Sequence, residues 1–365
     1  MNLWEEPDVR QPILIFLAMT AAGPAFADLP QPLTETSHQV LDVRGLRSLQ
    51  VDNARGLIRV RESRDGRLHL TAYRICRGKD AAQARAYAAE TGVKSVREGA
   101  QHVVVVSYPN RTRVEIDWWE LLKGGDISEL SKPLAEVRLV IEVPRDIQLD
   151  LRSSSGEIDV QGRFAPLVAR SSSGDVQFRG GDARIQTSSG DVSVLAARRV
   201  SVTTASGDCE ADSLAGPFSF QSSSGDLVLG SASDSVRVRT QSGDVAIRSA
   251  LRGLDGESSS GEFQVASAGG RVRVTTASGT LQLRAIAPFS TLDATTSSGD
   301  LTLRLAPGTG ARLDVTTSSG DIECNIPITL EQSDRRRITG RIGSGGPPIR
   351  LSSASGGIVV MTGGR

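Results

Sequence analysis

Apolar and polar residues alternate in short bursts along most of this chain, and the bursts recur. Around Gly243 the apolar positions are Val236 and Val238, then Val245 and Ile247. Around Gly279 they are Val272 and Val274, then Leu281 and Leu283. Alternation with a period of two marks a strand with one buried face. The phase changes at the glycine: odd offsets are apolar before it and even offsets after it. A straight strand cannot carry that change, so the chain must bend there. A positive φ, which glycine tolerates, is the expected reason for the residue.

The same Ser-Gly pair recurs at Gly156, Gly174, Gly190, Gly207, Gly225, Gly243, Gly261, Gly279, Gly299, Gly320 and Gly356. Spacings run from 16 residues (Gly174 to Gly190) to 21 (Gly299 to Gly320), with a last interval of 36 (Gly320 to Gly356). Connections such as 196–199 are too short for a crossover helix, so the units must coil and pair in parallel. The expected fold is all-β: a single parallel β-solenoid (β-helix) of about 18-residue coils with an N-terminal capping segment containing a short helix. Eleven intervals at about 4.8 Å give a rod on the order of 50 Å long.

Ser or Thr stands three residues before every repeated glycine, from Ser153 to Ser353. The phase turns this column inward, where hydroxyls can bond from coil to coil. Leu49, Val51, Gly56, Ile58 and Val60 match the same offsets as a degenerate first coil, with Asn53 in the hydroxyl position. Three segments follow: residues 1–27 as a signal peptide, 28–148 as the degenerate first coil plus a capping insert, and 149–365 as the regular solenoid. Within the insert, 68–72 and 137–143 read as strands, with Pro144 closing the second. Residues 103–106 and 114–116 read as a hairpin, 80–90 as a helix capped by Asp80 and stopped by Gly92, and 118–131 as an excursion. Residues 28–44 read as a polar lead-in. Arg335-Arg336-Arg337, Arg341 and Pro347-Pro348 interrupt the pattern as edge blockers. The final coil, Ile358-Val359-Val360, is expected at an open end without a separate cap.

Composition narrows the partners. The chain carries 42 basic and 42 acidic residues, which argues against nucleic acid. An apolar run at 13–22 precedes Ala25-Phe26-Ala27, shaped like a signal-peptidase site that leaves Asp28 as the new N-terminus. That run is too short to span a membrane. Export to the periplasm or cell surface is expected, with no transmembrane span after cleavage. Cys209 and Cys324 fall in inward columns some seven coils apart, on the order of 30 Å, beyond disulfide reach. With Cys76 they make three cysteines and no disulfide framework.

The Ser-Gly-Asp-Val-x-Val repeat, the early pattern from Val51 to Val60, and Val143-Pro144 resemble a bacterial family of unknown function often labelled "putative adhesin". The resemblance covers about 45–365. It implies a parallel β-solenoid that is exported or membrane-associated, and it brings no catalytic residues. The long 61–148 insert and its Trp118-Trp119 pair depart from the family pattern.

Four candidate sites remain. Acids follow nine of the eleven glycines, and the run Asp175, Asp191, Asp208, Asp226 and Asp244 reads either as turn chemistry or as a column of weak cation sites. A polysaccharide-active enzyme would need a distinct acid pair and aromatic platforms, but the acids are uniform and no Trp or Tyr follows Trp119. Trp118 and Trp119, beside Leu121-Leu122, form a contact-patch candidate for a membrane or partner. The Arg335–341 cluster is a solvated edge guard or an anion contact. No cofactor is implied. The expected function is a non-enzymatic exported cell-envelope or surface protein, adhesin-like, binding an unidentified protein or glycan or serving as scaffold. The alternative is a self-assembling, bactofilin-like filament built by end-to-end association, and the third reading is the enzyme.

Overall fold

The computed structural model describes residues 16–17, 32–78, 80–109, 134–164 and 166–363. Trp118, Trp119, Leu121-Leu122 and the expected strand at 114–116 lie outside them.

Each coil is a strand, a corner at Ser-Gly, a second strand and a short return. In one coil Phe218–Gln221 leads to the corner at Gly225, and Leu227–Ala232 leaves it. The next coil repeats this in register: Phe218 and Phe220 pair in parallel with Val236 and Val238, and Leu227 and Leu229 with Val245 and Ile247. Two parallel sheets therefore face each other, one built from strands before the corner and one from strands after it. The side chains between them form one continuous hydrophobic core from Leu46 to Val360. Each fully buried Val, Leu or Phe contributes roughly 1.5–3 kcal/mol. No single coil closes that core alone, so the parallel β-solenoid is stable only as a stack.

The glycine column has a different cause from the expected positive φ. Only Gly261 and Gly279 among the eleven Ser-Gly glycines, together with Gly56 in the first coil, have positive φ. What recurs is close approach. A Cβ on Gly225 would stand 2.0 Å from the carbonyl oxygen of Gly207, and one on Gly243 would stand 2.1 Å from that of Gly225. The coils touch backbone to backbone at this corner, and only hydrogen fits between them.

The ends of the stack depart from sequence order. The last coil is not terminal: Ile358–Thr362 pairs in parallel with Leu301–Leu305 on one side and Ile322–Asn325 on the other. Pro348–Ser353 is likewise inserted between 292–296 and Ala311–Thr317. The chain skips one position in the stack, builds the outer coil, and returns to fill the gap. The long interval before Gly356 holds a hairpin, Ile328–Ser333 with Arg337–Ile342, whose second strand runs antiparallel on Ala311–Thr317. The expectation of an open, uncapped final coil is thereby corrected.

The first coil is enclosed in the same way. Ser48–Asp52 lies between Gln148–Arg152 and Gln101–Ser107, and Ile58–Glu62 between Ile158–Gly162 and Ala135–Val143. Leu68–Cys76 then runs antiparallel on Ala135–Val143, and Leu33–Leu41 antiparallel on Leu68–Cys76. The lead-in thus contains a long strand, and the hairpin partner of Gln101–Ser107 is Gly92–Glu98. The helix Ala81–Glu90 starts at Asp80, whose carboxylate accepts from the Gln83 N–H at 2.7 Å. It ends at Thr91, and Gly92 already belongs to the following strand.

Candidate binding groove

Two long edges run down the solenoid, the glycine corner and the side where each coil returns. At the glycine corner the hydroxyl column is buried and turned inward, but its bonds are local. The Gly243 N–H donates to Thr240 Oγ1 at 3.1 Å, and the Gly225 N–H to Ser222 Oγ at 2.7 Å. The same bond forms at Gly156, Gly174, Gly190, Gly207, Gly299, Gly320 and Gly356. The hydroxyl thus closes the turn that the neighbouring coil compresses. At the two positive-φ corners it turns elsewhere: Ser258 Oγ donates to the Ser260 carbonyl, and Thr276 Oγ1 to Thr296 Oγ1 at 3.3 Å. Among the described residues, Thr276 and Thr296 are the one pair of the column joined hydroxyl to hydroxyl from coil to coil in the way the sequence suggested.

The acid column is brought together as a line along this corner. Asp175 Oδ1 accepts the Asp191 N–H at 3.0 Å, Asp191 that of Asp208, Asp208 that of Asp226, Asp226 that of Asp244, and Asp244 that of Glu262. Asp300 does the same for the Gly357 N–H. The side chain of each Asp therefore continues the coil-to-coil ladder where the backbone turns. Among the described residues, no group of three or more His, Cys, Asp and Glu could hold a metal ion.

At the joint between the first coil and the next, Asp159 lies on an outer sheet face yet is buried. Its Oδ2 receives Arg61 Nη2 at 2.7 Å and Arg59 Nε at 3.0 Å. Burial alone would raise this carboxyl, but the bonds and charges of Arg61 and Arg59 outweigh it and hold it below its ordinary value. A second joint ties the first coil to the capping layer. Asn53 Nδ2 donates to the Val137 carbonyl at 2.8 Å, and Tyr108 Oη donates to Asn53 Oδ1 at 2.6 Å. Burial pushes the Tyr108 phenol well above its usual range.

Of the three cysteines, all free, Cys76 and Cys209 are buried. Cys324 is only partly buried, because its strand is an outer layer of the stack. Burial raises the Cys209 thiol far above its ordinary value.

The return side carries a groove of about 930 Å³. It extends from Glu62 and Arg145 past Gly162, Gly180, Ala197 and Leu214 to Ser233. Five coil intervals at about 4.8 Å give it a length of roughly 24 Å. Four arginines line it: Arg145, Arg163, Arg179 and Arg198. Arg145 pairs with Glu62, and Arg198 with Asp182 at 2.7 Å. Arg163 and Arg179 are exposed and make no ion pair or hydrogen bond among the described residues. The floor is flat because Gly162 is pressed beneath the Phe164 ring, where a Cβ would meet Cζ at 2.7 Å, and Gly180 stacks on the Gly162 carbonyl. The sequence reading missed this groove. Arg145, Arg163 and Arg198 fall in the returns, the least periodic part of each coil, and Arg179 stands near the end of the strand Val176–Gly180 with Gln161 and Ala196 as its register partners. A smaller hollow of about 380 Å³ on the other side is lined by Gln221, Arg239, Gln241, Glu257 and Thr275, and Arg239 and Glu257 pair with each other there.

A family model described as Toastrack DUF4097 matches residues 119–361. No curated protein matches the sequence. Two solved structures align along the chain. One, from Clostridium sporogenes, is described as a "putative cell adhesion protein"; it is 9% identical, with a TM-score of 0.21, and the alignment covers 91% of this chain and 100% of that one. The other, from Bacteroides fragilis, is described as a "putative adhesin"; it is 11% identical, with a TM-score of 0.30, covering 91% and 99%.

Proposed function

Because the chain belongs to the Toastrack DUF4097 family and folds as a stack of parallel coils, we propose that it is a non-enzymatic, exported protein of the cell envelope or surface. It acts in an adhesin-like manner, binding a ligand along its sides. Residues 1–27 act as its signal peptide, and the mature chain begins at Asp28.

The observation that carries this reading is that the chain's first and last coils are inner layers of the stack. The chain's first and last coils are each enclosed between layers; antiparallel strands lie beyond the first on both sheets and beyond the last on one, where Arg337–Ile342 covers Ala311–Thr317, while Ile322–Asn325 is the outer parallel strand of the other sheet. Antiparallel hairpins interrupt the parallel ladder that end-to-end growth would extend. The lateral surface is the larger one and is repetitive, with an arginine-lined groove on one edge. The acids that an enzyme of the β-helix kind would need are engaged as ladder acceptors, one after another, in a uniform line. That arrangement favours a structural role for the column over acid–base work, which requires two carboxyls in different environments.

Cell fractionation with N-terminal sequencing tests the proposal. A mature chain beginning at Asp28 outside the cytosol, captured by crosslinking to an envelope or surface component, is the expected result. A full-length chain confined to the cytosol overturns it.

A further inference from the structure

We propose that the groove on the return side binds a linear acidic polysaccharide through Arg163 and Arg179. This inference rests on the ligand-binding reading above and names the ligand class.

Three features of the groove point there. First, it carries uncompensated positive charge. Of its four arginines, two are matched by Glu62 and Asp182, and two have no partner among the described residues although they sit on adjacent coils. In a protein with 42 basic and 42 acidic residues, two neighbouring unpaired guanidinium groups along one groove form a local cationic site. A guanidinium fork matches a carboxylate by two parallel hydrogen bonds.

Second, the shape is that of a polymer site. The groove is long and runs along the stack, so a chain laid in it crosses successive coils roughly 4.8 Å apart and meets Arg163 and Arg179 on two adjacent ones. A uronan presents a carboxylate on each ring and suits such a row better than a single small anion does. Third, the floor is low, and its lining sets hydrogen-bonding groups among apolar ones such as Ala197 and Leu214. Gly162, Gly180 and Gly181 leave the backbone accessible, and Ser213 and Ser233 add hydroxyls at the far end. These groups suit sugar hydroxyls. The one aromatic ring in the lining, Phe164, is buried and offers no face on which a nucleic-acid base could stack.

The test uses the mature chain and titrates it with oligogalacturonate, dextran of similar length, and polyphosphate. Oligogalacturonate should bind with an affinity that weakens as salt is raised, and dextran should not bind. The double variant Arg163→Ala/Arg179→Ala should lose at least tenfold in affinity with an unchanged melting profile, since neither side chain holds the fold. Arg184→Ala, on the outer face of the other sheet, should bind as the parent does. Equal affinity in the double variant, absence of oligogalacturonate binding, or tighter binding of polyphosphate overturns the inference. Parent protein that ignores oligogalacturonate but still attaches to envelope preparations would overturn only the ligand class and leave the binding function in place.

Discussion

Gly320 stacks on Gly356, not on Gly299, its predecessor in the sequence. A Cβ on Gly320 would stand 2.0 Å from the Gly356 carbonyl oxygen, and one on Gly356 would stand 2.0 Å from that of Gly299. The last coil is therefore an inner layer. Val359 lies on the outer face of a strand with neighbours on both sides, so Val359→Asp should leave the oligomeric state unchanged. Sedimentation of parent and variant should give the same single species across protein concentration, and concentration-dependent growth abolished by the variant would restore the filament reading.

The glycine column predicts a contrast between two alanine substitutions. Gly225→Ala places a methyl group against backbone that cannot move without shifting a whole coil, and should cost at least the 1–3 kcal/mol of an overpacked core. Gly308→Ala has open space around it but a φ of +79°, and should cost about 1–2 kcal/mol from backbone strain alone. Chemical denaturation measures both; a larger loss at Gly308 would mean that φ, not close approach, sets the column.

The hydroxyl column makes a similar distinction. Thr240→Val leaves the Gly243 N–H without its acceptor at a buried corner and should cost about 1–3 kcal/mol. Thr276→Val removes a hydroxyl that does not close its own turn and should cost less than Thr240→Val. Equal losses at the two sites would reduce the column to a matter of shape.

Much of this was legible in the sequence because the physics repeats. The change of phase at glycine required a corner, and the short returns required parallel stacking. Both hold in the register of Phe218 on Val236 and Leu227 on Val245. The reason for the glycine was not legible. A tight turn and a tight contact select the same residue, and only coordinates separate them. The order of the last two coils was hidden for a related reason: a hairpin between repeats and a break at an open end both appear as an interval of double length. The strand Leu33–Leu41 escaped because it is an outer strand whose burial pattern has no fully buried position. The groove escaped because Arg163 sits in a return and Arg179 has Gln161 and Ala196, not arginines, as its register partners.

The Asp159 cluster predicts acid sensitivity. Its carboxyl is held below the ordinary value by Arg61 and Arg59, so the folded state binds that proton less readily than the unfolded chain. The stabilisation is complete above the unfolded value, near 3.9, and is lost as pH falls through the lower folded value. At neutral pH Asp159→Asn should cost about 1.5–3 kcal/mol, the range for hydrogen bonds to charged groups. The difference between parent and variant should shrink below about pH 4. Denaturation at a series of pH values checks this, and a gap that widens in acid would refute the assignment.

The enclosure of the last coil is tested most directly by paired cysteines on the outer face of one sheet, with Cys324 changed to Ser. Thr302 and Val359 are register partners on adjacent strands, within the Cα separation of about 4.4–6.8 Å that a disulfide needs. Glu323 lies one strand beyond Val359, roughly 10 Å from Thr302 at strand spacing. On oxidation, Thr302→Cys/Val359→Cys should crosslink in high yield and Thr302→Cys/Glu323→Cys should remain free. Efficient crosslinking of Thr302→Cys/Glu323→Cys would mean that the coils stack in the order of the sequence, leaving the final coil at an open end.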